Sequence, residues 1–116
     1  MDESYIDFVD QEDDTSILTD DILNDYPNLV VIKSISKSFG VPGLRLGILA
    51  SSNHELINYI KKHITIWNIN SFAEFYLQIF EKYKHDYKTA IEKFIVARKE
   101  FMEKLVDIPY LRIIPS

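Results

Sequence analysis

The sequence predicts an α/β chain, with a portion of sheet in its first half and helices through the rest. Three observations predict it. Residues 29–32, LVVI, form a continuous apolar run rich in β-branched side chains, the pattern of a strand covered on both faces. Residues 44–50, LRLGILA, form a second apolar stretch after a loop rich in Ser, Gly and Pro. From residue 71 onward apolar side chains return at helical rather than alternating spacing. A length of 116 residues allows one ordinary domain, and 47% hydrophobic and 13% aromatic content argues for a globular chain. The chain has no cysteine, which excludes a disulfide scaffold, a thiolate zinc site, an iron–sulfur cluster and a cysteine nucleophile.

Taken in order, residues 4–9, SYIDFV, alternate loosely and read as the end of a strand. Residues 11–16 are polar and read as loop. Thr19 is placed to cap a short helix that Pro27 ends. The strand at 29–32, a loop at 34–43 and the strand at 44–50 follow. Asn53 is a cap for a helix running through Lys62. Ser71 caps a second helix, with Glu74 completing a capping box and Phe72, Phe75, Tyr76, Ile79, Phe80 and Tyr83 on one face. That stripe reads as core or interface in preference to a cofactor groove. A third helix starts near Asp86, with Tyr87, Ile91, Phe94, Ala97, Phe101 and Leu105 on one side. Residues 111–114, LRII, begin a strand after Pro109.

Charge is unevenly placed. Residues 1–28 hold ten acidic residues and no Lys or Arg, whereas the remainder carries all 13 basic residues. The cations are spread through helical patterns and no nucleic-acid-binding motif accompanies them, so a solvated acidic segment is preferred to a nucleic-acid face. His54, His63 and His85 lack metal-ligand spacing, so no metal site is expected. No apolar run approaches the ~18–20 residues of a membrane span. The acidic start is unlike a secretory signal, so a cytoplasmic protein is expected.

The chemistry concentrates in residues 34–47, SISKSFGVPGLRLG. Lys37 follows a buried apolar strand and is flanked by hydroxyls; Arg45 follows eight residues later. A lysine amine can form a Schiff base. Serine hydroxyls and a guanidinium fork can hold a phosphate dianion. Gly40, Gly43 and Gly47, the only glycines of the chain, let the backbone turn back between them. The order is not that of a Walker loop.

This S-x-S-K-x-x-G and x-G-x-R-x-G pattern resembles the cofactor-lysine signature of fold-type I pyridoxal-phosphate enzymes, and more narrowly of the class I/II aminotransferases. Residues 2–8, DESYIDF, are similar to the D-E-A-Y-x-x-F segment of histidinol-phosphate aminotransferases and threonine-phosphate decarboxylases. Residues 67–73, WNINSFA, are similar to the W-N-V-N-x-x-A segment of that subgroup, and the LRIIPS tail resembles the lead-in to its P-S-x-x-N-F stretch. The resemblance implies pyridoxal 5'-phosphate as cofactor. It implies Lys37 as the Schiff-base lysine and proton carrier, Asp2 as partner of the pyridine nitrogen, and Tyr5 as donor to the ring oxygen. It implies Arg45, Ser34 and Ser36 as the phosphate grip. Ser4, where the subgroup has a small apolar residue, takes no role.

The resemblance further implies that residues 1–70 belong to the large, cofactor-binding domain and residues 71–116 to interdomain helices and the start of a small domain. The glycine-rich phosphate turn, the ring-stacking aromatic residue and the substrate-carboxylate arginine of the family have no counterpart here. The expectation is therefore an internal segment of a longer, homodimeric enzyme, inactive alone and with an uncovered apolar face, Met1 being a non-native start. The parent would move an amino group between an amino acid and a 2-oxo acid. A decarboxylase of a phosphorylated amino acid is the alternative within the same fold, and a non-catalytic interaction module is the alternative outside it.

Overall fold

The computed structural model describes residues 1–9 and 16–114. The polar loop expected at 11–16 therefore lies, up to residue 15, outside the described residues, as do Pro115 and Ser116 of the tail. Two strands and three helices follow one another: α1 (Asp20–Asp25), β1 (Val31–Ser34), β2 (Gly47–Ala50), α2 (His54–His63) and α3 (Ser71–Val106). Short 3₁₀ turns at Ile6–Phe8 and Pro42–Leu44 complete the order. The α/β class expected from the sequence is present.

The strands pair antiparallel, in the register Val31↔Ala50 through Ser34↔Gly47. On its other edge β1 receives residues 1–3. Ile32 donates to the Met1 carbonyl and Glu3 donates to the Ile32 carbonyl, both at 2.9 Å, around a parallel bridge between Asp2 and Ile32. Strand character thus sits at residues 1–3 and not at 4–9. The chain turns into a 3₁₀ helix once the Ile6 amide reaches the Glu3 carbonyl at 3.1 Å.

Both strands start later than the apolar runs suggest. Before β1, the Leu29 amide is held by the Tyr26 carbonyl at 2.8 Å, which keeps that end in a turn. Before β2, Pro42 opens a 3₁₀ turn and Arg45 adopts a left-handed conformation, φ 55° and ψ 45°, so pairing resumes only after Leu46. The strand expected to be covered on both faces is covered on one. Val31 is 0% exposed and its neighbour Ile32 51%.

Helices α1 and α2 are capped as their sequences predict. Thr19 Oγ1 accepts from the Ile22 amide and Asn53 Oδ1 from the Leu56 amide. The cap of α3 differs. Asn70, not Ser71, is the N-cap, its Oδ1 accepting from the Ala73 amide at 2.9 Å. Its amide nitrogen also donates to the Leu44 carbonyl at 2.9 Å, which joins the helix start to the loop between the strands. Ser71 lies one residue too late to cap, so the expected Ser71–Glu74 box does not form. Nor does the helix break before Asp86. Residues 81–88 contain no Gly or Pro, and α3 runs for 36 residues, about 54 Å at 1.5 Å per residue. That matches the 55 Å long axis of the chain. Residues 111–114 form no strand.

The core is small and lies under the loop. Ile35, Leu46 and Ala73 are buried together, with Phe39, Leu44 and Tyr76 packed against them. Phe39 stacks on Tyr87, with centroids 4.3 Å apart, and meets Phe80 at 5.0 Å. Only part of the aromatic stripe is therefore core: Tyr76 and Phe80 are half-buried, whereas Phe72, Phe75 and Tyr83 are exposed. Farther along α3 the buried residue is Ile95, while Phe94 and Phe101 remain exposed. The N-terminal turn is clasped to the same helix by Arg98 Nη1, which donates to the Phe8 carbonyl at 2.7 Å, and by Phe8 against Phe94.

The cap assignment is directly testable. Asn70→Ala should cost about 1 kcal/mol, because an orphan amide and the tie to Leu44 are lost together. Ser71→Ala should change stability by no more than a few tenths of a kcal/mol. Urea unfolding of the two variants checks the difference, and equal losses would contradict Asn70 as the cap.

Candidate active site

The candidate site is built on the end of β1 and the segments flanking it. Ile35 and Leu46, both buried, pin the two ends of the loop that carries Lys37, and the Ile35 amide donates to the Leu46 carbonyl at 3.3 Å. Between them Gly40 takes a left-handed turn at φ 65°, which a side chain would resist. Gly47 lies where a Cβ would come 3.4 Å from the Lys33 carbonyl oxygen, whereas a Cβ at Gly43 would meet nothing within 4 Å. Of the three glycines, Gly40 alone thus has a backbone conformation that calls for glycine.

Lys37 and Tyr5 meet across 32 residues of sequence. The Lys37 amine donates to the Tyr5 hydroxyl and lies 4.0 Å from the centre of its ring. Both side chains are exposed. Asp2 lies on the same side, close enough for the Lys37 charge to act on its carboxyl group. The Asp2 pKa lies below the usual carboxylate value. The Ser4 hydroxyl is the largest cause, then the Ser4 amide, with the Lys37 charge and the N-terminal charge adding to them.

Asp2, Ser4, Ile32, Lys33, Ser34, Arg45, Leu46 and Gly47 line a cleft of about 350 Å³. Three of the expected phosphate and ring contacts, Asp2, Ser34 and Arg45, therefore share one cleft. The Arg45 guanidinium is exposed, and it reaches the Pro42 carbonyl at 3.5 Å, a long contact that leaves most of its donors for a ligand. Ser36 is different: it is 4% exposed, and its hydroxyl faces the Leu46 carbonyl at 3.4 Å, inside the loop.

Behind the cleft a second group of residues braces the two arms. Lys33 Nζ and Asp7 Oδ1 form a largely buried ion pair at 2.7 Å. It ties the turn that follows Tyr5 to the strand that leads to Lys37. Asp7 Oδ2, Ser38 Oγ and Tyr87 Oη are buried nearby without a hydrogen-bond partner among the described residues. Burial pushes the Tyr87 phenol up to about 12. Ser38 pulls it the other way and Asp7 reinforces the rise.

Sequence reasoning missed Ser4, whose partners Asp2 and Ser34 lie two and 30 residues away, and the pair Asp7 and Lys33, 26 residues apart. Nothing in the DESYIDF string sets Ser4 or Asp7 apart, because their partners on β1 are brought to them only by folding.

All 116 residues match the family model described as Aminotransferase class I and II. The chain belongs to that family. The L-serine phosphate decarboxylase of Sulfurospirillum multivorans is 34% identical over 119 residues, covering 100% of this chain and 30% of the relative. The histidinol-phosphate aminotransferase of Flavobacterium psychrophilum is also 34% identical, over 118 residues, covering 100% of this chain and 32% of the relative. A solved structure described as a decarboxylase from Sulfurospirillum multivorans superposes with a TM-score of 0.81 at 34% identity, covering 99% of this chain and 33% of that one. The chain thus spans about a third of the length of these relatives. The family's cofactor is pyridoxal 5'-phosphate. The donor set fits it: the Asp2 carboxylate, the Ser34 hydroxyl and the Arg45 guanidinium line one cleft, and the Lys37 amine, outside that lining, lies near enough for its charge to act on Asp2.

Tyr87 offers a spectroscopic check of the brace. Its folded-state pKa lies above the ordinary tyrosine value of about 10. The stabilisation linked to it is therefore complete below about pH 10 and is lost as pH rises through about 12. Phenolate absorbance of the seven tyrosines should show a late step near pH 12 that Tyr87→Phe removes. A titration complete by about pH 11 would contradict the burial.

Proposed function

We propose that this chain is the cofactor-anchoring part of a pyridoxal-phosphate enzyme that acts at the α-carbon of an amino acid or amine bearing a phosphate group, by amino-group transfer to a 2-oxo acid. The single observation that carries this reading is the Lys37 amine held on the Tyr5 hydroxyl with the Asp2 carboxylate on the same side. The phosphate on the substrate is suggested by the relatives, whose names specify L-serine phosphate and histidinol phosphate. Decarboxylation is the second reading, favoured by the match to L-serine phosphate decarboxylase at the same 34% identity. As in the family, the working unit is proposed to be a homodimer.

Pyridoxal phosphate, when bound, supplies an aldehyde for an amine to engage and a ring that takes up the electrons of a bond broken at the substrate α-carbon. Every other part of the chemistry falls to the chain. Lys37 would hold the cofactor through its aldehyde, and its free amine would carry a proton to and from the substrate α-carbon. Tyr5, already on the Lys37 amine, donates to the ring oxygen and keeps the amine directed at the reacting carbon. Asp2 presents a negative charge to the ring nitrogen and holds a proton there, which lets the ring accept electrons. Arg45 and Ser34 bind the phosphate, the planar fork of Arg45 giving two parallel contacts that a point charge cannot. Ser36, turned inward, serves this grip by closing the loop onto Leu46.

In the full-length protein, borohydride treatment after incubation with pyridoxal phosphate should fix the cofactor on Lys37, located by peptide mass mapping, and Lys37→Ala should abolish the adduct. Unreduced protein loaded with pyridoxal phosphate is then offered O-phospho-L-serine and, separately, histidinol phosphate, each with 2-oxoglutarate. Formation of glutamate supports transfer, and carbon dioxide release without glutamate supports the second reading. Arg45→Lys should weaken cofactor binding about 10- to 100-fold, as expected for charge-assisted contacts worth ~1.5–3 kcal/mol. Unchanged affinity in that variant would remove Arg45 from the phosphate site.

A further inference from the structure

Ser4 has no part in the function proposed above, yet its hydroxyl lies between two residues of the site. It is 6% exposed. Its Oγ donates to Asp2 Oδ1 at 2.5 Å and accepts from the Ser34 amide at 2.8 Å, while its own amide donates to the same Asp2 oxygen at 2.9 Å. The hydroxyl's one proton is thus committed to Asp2 and one of its lone pairs to β1. Two donors converge on Asp2 Oδ1, leaving Oδ2 for a donor in the cleft that Asp2 and Ser4 both line.

We infer that Ser4 is a positioning residue that fixes the Asp2 carboxylate in one orientation toward a protonated ring nitrogen and couples it to the strand end through the Ser34 amide. The inference rests on the pyridoxal-phosphate reading of the cleft. Asp2 is exposed, and an exposed aspartate ordinarily samples several rotamers. Holding it before the ligand arrives lowers the ordering cost of binding. Donors on a carboxylate also favour its charged form, which is the form that keeps a proton on the ring nitrogen. The lowered Asp2 pKa, with Ser4 as its largest cause, agrees with that geometry. The coupling to Ser34 has a second effect. Asp2 at the ring end and Ser34 at the phosphate side share one hydroxyl, so the distance between the two ends of the ligand site is set in part by Ser4.

Three measurements on the full-length protein test this. The first needs no cofactor: the Asp2 carboxyl carbon, followed by ¹³C NMR against pH, should titrate below the ordinary aspartate value in the unmodified protein and move up toward it in Ser4→Ala. The second is cofactor affinity, which should weaken about three- to tenfold in Ser4→Ala, the range for one typical net hydrogen bond. The third is the ¹⁵N shift of ring-labelled cofactor, which should move toward the unprotonated position in Ser4→Ala, whereas Ser4→Thr keeps the parent signal. A residue that only stabilised the fold would lower the melting temperature and leave the ring nitrogen signal in place, which would overturn the inference. An ordinary Asp2 titration in the unmodified protein would overturn it even if Ser4→Ala failed to fold. If the carboxyl titration moves as expected but no cofactor is fixed on Lys37, Ser4 still holds Asp2, and it is the pyridoxal-phosphate reading, and with it the role toward a ring nitrogen, that fails.

Discussion

Both edges of β1 carry backbone partners: β2 along one side and residues 1–3 along the other. The rest of the site depends on this arrangement. The N-terminal segment is held by the Met1 and Glu3 contacts to Ile32 and by the Met1 amine on the Val30 carbonyl at 2.8 Å. That fixes Asp2 opposite Ile32, and Ser4 then falls opposite the end of the strand, within reach of the Ser34 amide. From there one turn of 3₁₀ helix delivers Tyr5 and Asp7 toward the loop that β1 opens into. Without the pairing at residues 1–3, groups about 30 residues apart in sequence would have no common frame.

The loop is the second arm of that frame, and its own interior holds it. Ile35 and Leu46 are buried beneath it with Ala73 of α3, and Asn70 adds a hydrogen bond to Leu44. The backbone concession appears at Arg45, which takes a left-handed conformation that costs a non-glycine residue about 1–2 kcal/mol. A glycine there would be easier to accommodate but would bring no guanidinium to the cleft. Strain kept at a charged residue beside a lined cleft is consistent with a ligand-binding role. The Asp7–Lys33 pair ties the N-terminal arm to β1, while the Phe39–Tyr87 stack and the contacts of Phe8 with Arg98 and Phe94 tie the two arms to the long helix, so α3 is part of the site's support.

Much of this was legible in the residues, and the limits are physical. Local signals held: Thr19 and Asn53 cap the helices they precede, and the β-branched run announces a strand beside residue 31. Competition between neighbouring local signals did not resolve. Asn70 and Ser71 are both good caps, and only the reach of Asn70 to Leu44 decides between them. Asp86 resembles a helix start, but a capping residue within uninterrupted helix formers does not stop a helix. The face that α3 buries was also misplaced, because one short loop and the N-terminal turn cover only parts of a 36-residue helix, and the residues buried there are Ala73 and Ile95 rather than the whole apolar stripe. At the site, motif residues were legible and their supports were not. Lys37, Asp2 and Tyr5 carry a recognisable order, whereas Ser4, Asp7 and Lys33 matter only through partners that folding brings to them.

The charge asymmetry also acquires a structural meaning. The acidic first 28 residues read as a solvated segment, and the exposed acids of α1 fit that reading. The first few do not. Asp7 pairs with Lys33, Asp2 lies within the influence of Lys37, and buried Glu3 accepts from the Ser16 hydroxyl and the Ile17 amide at 3.0 and 2.6 Å. Asp7 and Asp2 are thus matched to cations of the strand and loop that follow, and Glu3 to neutral donors of residues 16 and 17. Lys37 has a neutral hydroxyl as its nearest partner and a carboxylate only at longer range. The direct ion pair falls instead on Lys33, four residues earlier on β1, where it ties the N-terminal turn to the strand that leads into the loop.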